Sequence, residues 1–394
     1  MSLERILTTH TGSLPRPPAL LRLLLDEASG ASVDAPQRDA VLAEAVRECV
    51  AAQLEAGIDL VSDGEMSKPS YATYAKDRLT GYGGEGAMPR PADLEEFPTY
   101  ARRLFADPGL AALRTPSCIG PVAYRGRAAL ERDLVNLSQA LPEAGARGFM
   151  TAASPGVIAL FLENDHYPTE DAYLDALASA MREEYRAIVE AGFVLQIDAP
   201  DLAMARHMTF AGASLDRFRR AVERHIALID AATADLPPER MRIHVCWGNY
   251  EGPHHRDVAL DEIADLLVRA RPAGLSFPAA NPRHEHEWRV WERVRLPDDK
   301  VLIPGVIDST TNFIEHPELV AERIQRFIDI VGPERVIAGT DCGFGTFAGL
   351  ALVDPAIVWA KLAALAQGAR FVTERLRRSP RSALRPRPSA TATR

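Results

Sequence analysis

His244 and Cys246 stand two residues apart in the run RIHVCWGNYEG, where an apolar stretch gives way to a polar loop. On a β-strand, side chains two apart point to the same face, so both can reach one ion. A further thiol, Cys342 in AGTDCGFG, sits at the end of the last strand-like run. Imidazole plus two thiolates is a ligand set that suits zinc, and catalytic zinc sites use three protein ligands while a fourth position takes water or substrate. The chemistry available there is thiol activation: a metal-bound sulfur loses its proton near neutral pH and attacks an electrophilic carbon. The same residues also have a plainer reading, in which a buried cysteine is a small hydrophobe and a strand-end histidine is simply hydrogen-bonded. Cys49 in AVRECVAAQL and Cys118 in SCIGPV read as packing.

These groups need elements to position them. The passages AVLAEAVRECVAAQLEAGIDLVSDGE and LASAMREEYRAIVEAGFVLQIDAP share one plan: amphipathic helix, Ala-Gly stop, apolar strand, acidic tip. Gly57 and Gly192 are the expected stops. This is the αβ unit of a parallel sheet covered on both faces. Nine runs read as strands: 6–9, 59–62, 117–120, 149–152, 194–197, 242–245, 274–277, 301–306 and 336–339. Eight would close a TIM (β/α)8 barrel, so the run at 149–152 (FMTAASP) is set aside as surplus. Several strands end in polar tips (HTGS, DGE, DAP, HVCWGN, DSTTN, TDCG), and barrels of this kind place their chemistry at those ends. A doubly wound open sheet would announce a glycine-rich phosphate turn, which no strand is followed by here.

The composition, 47% hydrophobic and 25% charged, is that of a globular protein able to bury a core. A formal net charge of −9 argues against nucleic acid as a partner. No run is long and apolar enough for a membrane span, and no signal peptide is visible. Four scattered cysteines suit a reducing, cytoplasmic setting better than a disulfide framework. The stretch 81–98 (GYGGEGAMPRPADLEEFP) reads as a loop or lid. The expected organisation is therefore one barrel domain over 1–377 with inserted loops, then a disordered basic, Pro-rich tail over 378–394.

The marks HTGSLPRP, SDGE, CIGPV, QIDAPDLAM, HVCWGN, PGVID and DCG occur in one order along nearly the whole chain. In that order they resemble the C-terminal catalytic half of cobalamin-independent methionine synthase, and more closely its shorter single-barrel relatives. The wider superfamily includes uroporphyrinogen decarboxylase and the coenzyme M methyl- and epoxyalkane transferases. The resemblance implies a TIM barrel with zinc on His244, Cys246 and Cys342. It also implies that the turn Gly12–Ser13 holds the carboxylate of homocysteine, while Glu65 and Asp198 bind its ammonium group. Two carboxylates and a hydroxyl-bearing turn at one barrel mouth are suited to holding a zwitterion by charge-assisted hydrogen bonds. Helix capping is the ordinary alternative for these acids, and for Asp63 the preferred one.

Two departures stand out. Pro278 falls where the synthase has a glutamate ligand, leaving three protein ligands unless His284, Glu285, His286 or Glu287 swings in. Thr310 falls where a histidine follows the aspartate matched to Asp308. The synthase's folate-binding N-terminal half has no counterpart in these residues, so the carbon donor stays open among methylfolate, a corrinoid protein and an epoxide. Tyr124, Tyr167, Trp247 and Tyr250 are candidates for an aromatic donor wall. The leading expectation is zinc-dependent methyl or alkyl transfer to a small thiol such as homocysteine, in methionine biosynthesis. Its rivals are thiol addition to an epoxide, with Arg16, Lys68 or Arg283 receiving a sulfonate, and a metal-free ligand-binding paralogue. Assembly as a homo-oligomer is left open.

Overall fold

In the computed structural model, which describes residues 5–86, 90–106, 115–142, 147–350 and 352–378, the polar strand tips converge at one end of a curled parallel sheet. The strands are β1 (Leu7–Thr8), β2 (Leu60–Val61), β3 (Tyr82–Gly83), β4 (Ser117–Cys118), β5 (Arg147–Ala153), β6 (Val194–Asp198), β7 (Met241–His244), β8 (Gly274–Phe277), β9 (Val301–Pro304) and β10 (Ile337–Ala338). Six pair in the order β2-β5-β6-β7-β8-β9, all parallel, and β1 pairs in parallel with β10. Isolated parallel bridges, Leu302 to Val336 and Gly305 to Gly339, tie the flanks of β9 to those of β10. On the other side the Asp59 amide donates to the Thr8 carbonyl at 3.2 Å.

One strand assignment changes. Ser117–Cys118 is no part of the main sheet; it pairs antiparallel with Tyr82–Gly83 in a small outlying ribbon. The run set aside as surplus is β5, a central strand between β2 and β6. It is buried at every residue after Arg147. Its end, Thr151 to Ala153, carries small and polar residues, and the Thr151 hydroxyl reaches Glu65.

Register sets the chemistry. Ala153, Asp198, His244 and Ser276 pair in sequence across β5, β6, β7 and β8, so the last residues of β6 and β7 are lateral neighbours. Outside the sheet run the helices. Glu170–Glu190 starts on Thr169, whose hydroxyl accepts from the Ala172 amide, with acidic residues in the first turn. It buries Leu174, Leu177, Met181 and Ile188 at helical spacing, each contributing about 1.5–3 kcal/mol if fully buried. It stops where Gly192 takes φ of 93°, and Gly57 ends Ala35–Glu55 in the same way at 90°. Beneath the tips the interior is polar. Gln196 and Arg242 lie buried there, and the Arg242 guanidinium donates to the Thr9 hydroxyl and the His10 carbonyl over the face of Phe149.

Among the described residues no helix is long and apolar enough to cross a membrane. The last helix, Pro355–Arg378, runs to the edge of the expected tail, which otherwise lies outside the described residues.

Candidate active site

His244 ends β7, and the chain leaves the sheet so that Cys246 still faces the same side; Cys342 arrives from the loop after β10. One donor atom from each lies within 4.8 Å of the others, and all three residues are buried. Cys342 Sγ stands 3.7 Å from His244 Nε2. The other ring nitrogen, Nδ1, meets the Ser276 hydroxyl at 3.3 Å, which leaves Nε2 to face the thiols. The Cys246 thiol is pushed well below the ordinary range, first by Cys342 donating to it and then by His244, against the opposing effect of burial. Cys342 is pushed up correspondingly, by Cys246 accepting its proton and by burial. Two thiols sharing one proton beside an imidazole are a donor set that a zinc ion fits, since the ion takes the place of that proton.

The three donors form part of the floor of a cavity of about 110 Å³. Thr11, Ser13, Glu65 and Asp198 line the same cavity, and its walls are apolar, with Leu94, Phe105, Phe161 and Phe347 among them. Every one of the expected site residues is therefore brought to one place, Gly12 directly against Glu65.

Glu65 sits in the left-handed region at φ of 57°, a conformation that costs a non-glycine residue on the order of 1–3 kcal/mol. Its Oε1 accepts from the Thr151 hydroxyl at 2.9 Å, while buried Oε2 has no partner. Thr151 is held in turn by Lys68, whose Nζ donates to the Thr151 carbonyl at 2.5 Å and approaches Oγ1 at 3.0 Å. Asp198 accepts from Gln196 Nε2 at 2.7 Å. Burial first, then the Glu65 charge, holds the Asp198 carboxyl up at about 7, against His244, Gln196 and Lys68. Neither acid caps a helix. Two buried carboxyls pressing on each other, one with a bare oxygen, form a site that gains from a cation between them.

Ser13 accepts at Oγ from the Gly345 amide at 3.3 Å and keeps its own proton to donate. The Gly12 amide already donates to His10 Nδ1 at 3.2 Å, so Gly12 contributes space instead: a Cβ there would stand 2.7 Å from Glu65 Oε1. Asp63 accepts from the Glu65 amide at 3.0 Å, a local turn and not a helix cap.

Set beside known proteins, the chain matches no family model. It is 24% identical over 376 residues to the methionine synthase of Saccharolobus solfataricus, covering 94% of this chain and 96% of that one. The methionine synthase of Thermococcus kodakarensis is 24% identical over 391 residues, 98% of each chain. A B12-independent methionine synthase from Shewanella sp. W3-18-1 superposes with a TM-score of 0.72 at 21% identity, over 95% of this chain and 99% of that chain. A putative B12-independent methionine synthase from Listeria monocytogenes gives 0.64 at 17% identity, over 94% and 99%. The chain is similar along nearly its whole length to methionine synthases, and it shares the fold of the B12-independent ones.

Measured against the methionine synthase pattern, the departures take on a physical form. Pro278, immediately after β8, offers no donor. The neighbouring loop does not compensate. His284 is held between Asp257 and Glu287, Glu285 pairs with Arg323 and Arg326, and His286 is exposed. Thr310 donates to Asp308 at 2.8 Å, so the aspartate is engaged in its own turn. Of the aromatic candidates, Tyr250 lines the main cavity and Trp247 a neighbouring one. Tyr124 is engaged with Glu184, and the Tyr167 hydroxyl accepts from the Val122 amide. Cys49 and Cys118 are buried and free.

Thr151, Gln196 and Tyr71, which lines the main cavity, are not singled out by the sequence pattern. Gln196 was findable, because it shares the Asp198 face of β6 by the two-residue period. Thr151 lay in the strand set aside.

Proposed function

We propose that this chain, whose relatives are named methionine synthases, methylates the sulfur of a small amino-acid thiol, homocysteine as the sequence resemblance implies, at a zinc ion held by His244, Cys246 and Cys342. The observation that carries the reading is the meeting of those three donors with Glu65 and Asp198 in one cavity. Zinc, when bound, would take the substrate sulfur and favour its thiolate near neutral pH. The chain's own residues do the rest. Glu65 and Asp198 receive the ammonium group, and the Ser13 hydroxyl donates to the carboxylate. Leu94, Phe105 and Phe347 keep water from the sulfur.

Among the described residues lining the cavity there is no lysine or arginine. Arg16 is spent on the Glu65, Lys68 and Gly345 carbonyls, and Lys68 on Thr151. A sulfonate-bearing thiol thus lacks a cation where an amino-acid thiol finds two carboxylates. The corrinoid and epoxide routes draw no support from the relatives. The parallel ladders and the links across β1–β2 and β9–β10 support reading the two sheets as arcs of one eight-stranded (β/α)8 barrel over residues 1–377.

The test is elemental analysis alongside methyl transfer from methylfolate to homocysteine. Cys246→Ser and Cys342→Ser should each remove about one zinc per chain and abolish turnover. Unchanged zinc in both variants, or a wild-type protein that consumes no homocysteine with any methyl donor, would leave a ligand-binding paralogue as the account.

A further inference from the structure

A second group of metal-type donors lies outside the cavity floor. His254 Nδ1 and His284 Nε2 each stand 2.9 Å from the same oxygen, Asp257 Oδ2. One atom from each of the three residues falls within 4.8 Å of the others. The outer sides of the two rings are also occupied. His254 Nε2 meets the Tyr250 carbonyl at 3.0 Å, and His284 Nδ1 meets Glu287 Oε2 at 2.8 Å. Glu287 is fixed by the Leu260 amide on its other oxygen.

A carbonyl and a carboxylate only accept, so each outer ring nitrogen carries a proton. In a neutral ring the inner nitrogen then presents a lone pair, and it presents it to a carboxylate oxygen. Two imidazole lone pairs and a carboxylate aimed at one place repel unless positive charge sits among them. A ring nitrogen held by a carboxylate or carbonyl while its partner points inward is the arrangement that metal-ligating histidines adopt. We propose that His254, Asp257 and His284 form a second binding site for a divalent first-row transition metal ion, independent of the cysteine site.

Further observations agree. His254 is held at φ of 52°, in the left-handed region, as ligand-clamping residues often are. His207 Nδ1 is 2.9 Å from Asp257 Oδ1 without hydrogen-bond geometry, and its Nε2 is buried with no partner. Donor pairs in a tetrahedral zinc shell stand about 3.3 Å apart, so an opening of a few tenths of an ångström would admit the ion. A cavity of about 410 Å³ reaches both histidines and Cys342, giving an entry path. The four residues come from the loops after β6, β7 and β8. An ion there would pin the loops that carry Met204 and Tyr250 into the wall of the main cavity.

The test separates the two sites. Cys246→Ser/Cys342→Ser protein, equilibrated with zinc and freed of excess, should keep about one ion per chain. Adding Asp257→Asn or His284→Gln should remove that ion. Loaded with cobalt, the double cysteine variant should show ligand-field absorption without a thiolate charge-transfer band. Glu287→Gln, which keeps all three donors, should weaken zinc binding in that background by about 10- to 100-fold. No metal in a folded double cysteine variant would mean that the rings are imidazolium ions, and the assignment falls. Metal that survives Asp257→Asn and His284→Gln together would overturn it equally. Zinc lost with Asp257 but never with the cysteines would leave this site standing and remove the other.

Discussion

Thr151 donates its hydroxyl to Glu65 Oε1 at 2.9 Å and leaves buried Oε2 of the same cavity-lining carboxylate without a partner. A carboxylate held on one side and unpartnered on the other is ready for a cationic group. Hydrogen bonds to charged groups are worth about 1.5–3 kcal/mol, or roughly 10- to 150-fold in affinity. Glu65→Gln should therefore raise KM for homocysteine by a factor in that range while zinc content stays unchanged. A thiol without an ammonium group should be affected far less. Equal losses for both thiols would show that Glu65 acts on the fold and not on the substrate.

Asp63 makes a prediction about pH and stability. Burial first, with Asp133 and Glu65 adding to it and Lys68 opposing, raises its carboxyl from 3.8 to about 6. The folded chain therefore binds this proton more tightly than the unfolded chain. Stability falls as pH rises from about 4 to 6 and is flat above, a loss of roughly 3 kcal/mol at most. Asp63→Asn keeps an oxygen for the Glu65 amide and carries no charge. It should be more stable than wild type in urea at pH 7.5, with the gain gone at pH 4. A variant no more stable at pH 7.5 would refute the assignment.

How far the sequence led depends on distance along the chain. His244 and Cys246 were legible because a two-residue period on a strand is local, and Asp198 and Cys342 because they end apolar runs. Residues 117–120 and 149–152 were exchanged because an apolar run does not reveal its partner. Whether Ser117–Cys118 pairs with Tyr82–Gly83 or with the main sheet is decided by long-range packing. The charged run NPRHEHEW, taken alone, has the composition of a solvated loop and hides its burial for the same reason. His284 is buried only because Asp257, 27 positions earlier, folds back onto it.

Gly12 tests whether space alone can be a function. Its amide is taken by His10, whose Nε2 in turn faces Gln53 Oε1 at 2.7 Å, so the backbone there is fixed. The φ of 149° suits glycine, and an added Cβ would meet Glu65 Oε1 and Thr151 Cγ2, each at 2.7 Å. Gly12→Ala should cost about 1–3 kcal/mol of stability, in the range of overpacking. By displacing Glu65 it should also raise KM for homocysteine and leave zinc content unchanged. An unaltered KM would mean that Glu65 tolerates displacement.

Tyr250 ties the segment expected as a lid to the loop after β7. Its hydroxyl donates to Asp93 Oδ2 at 2.7 Å, and the His254 amide meets the same oxygen at 2.9 Å. Asp93 Oδ1 is buried without a partner, so the carboxylate depends on these bonds. Pro91 and Leu94, on either side of Asp93, line the main cavity. Tyr250→Phe removes one of the bonds and keeps the ring, a loss of about 1–3 kcal/mol placed on the lid. Amide exchange over residues 90–98 should quicken by roughly 5- to 150-fold while the strands stay protected. Turnover should fall through water reaching the sulfur, with zinc still bound. Unchanged exchange in 90–98 would show that the lid is held by its apolar contacts alone, and that Tyr250 is only part of the wall.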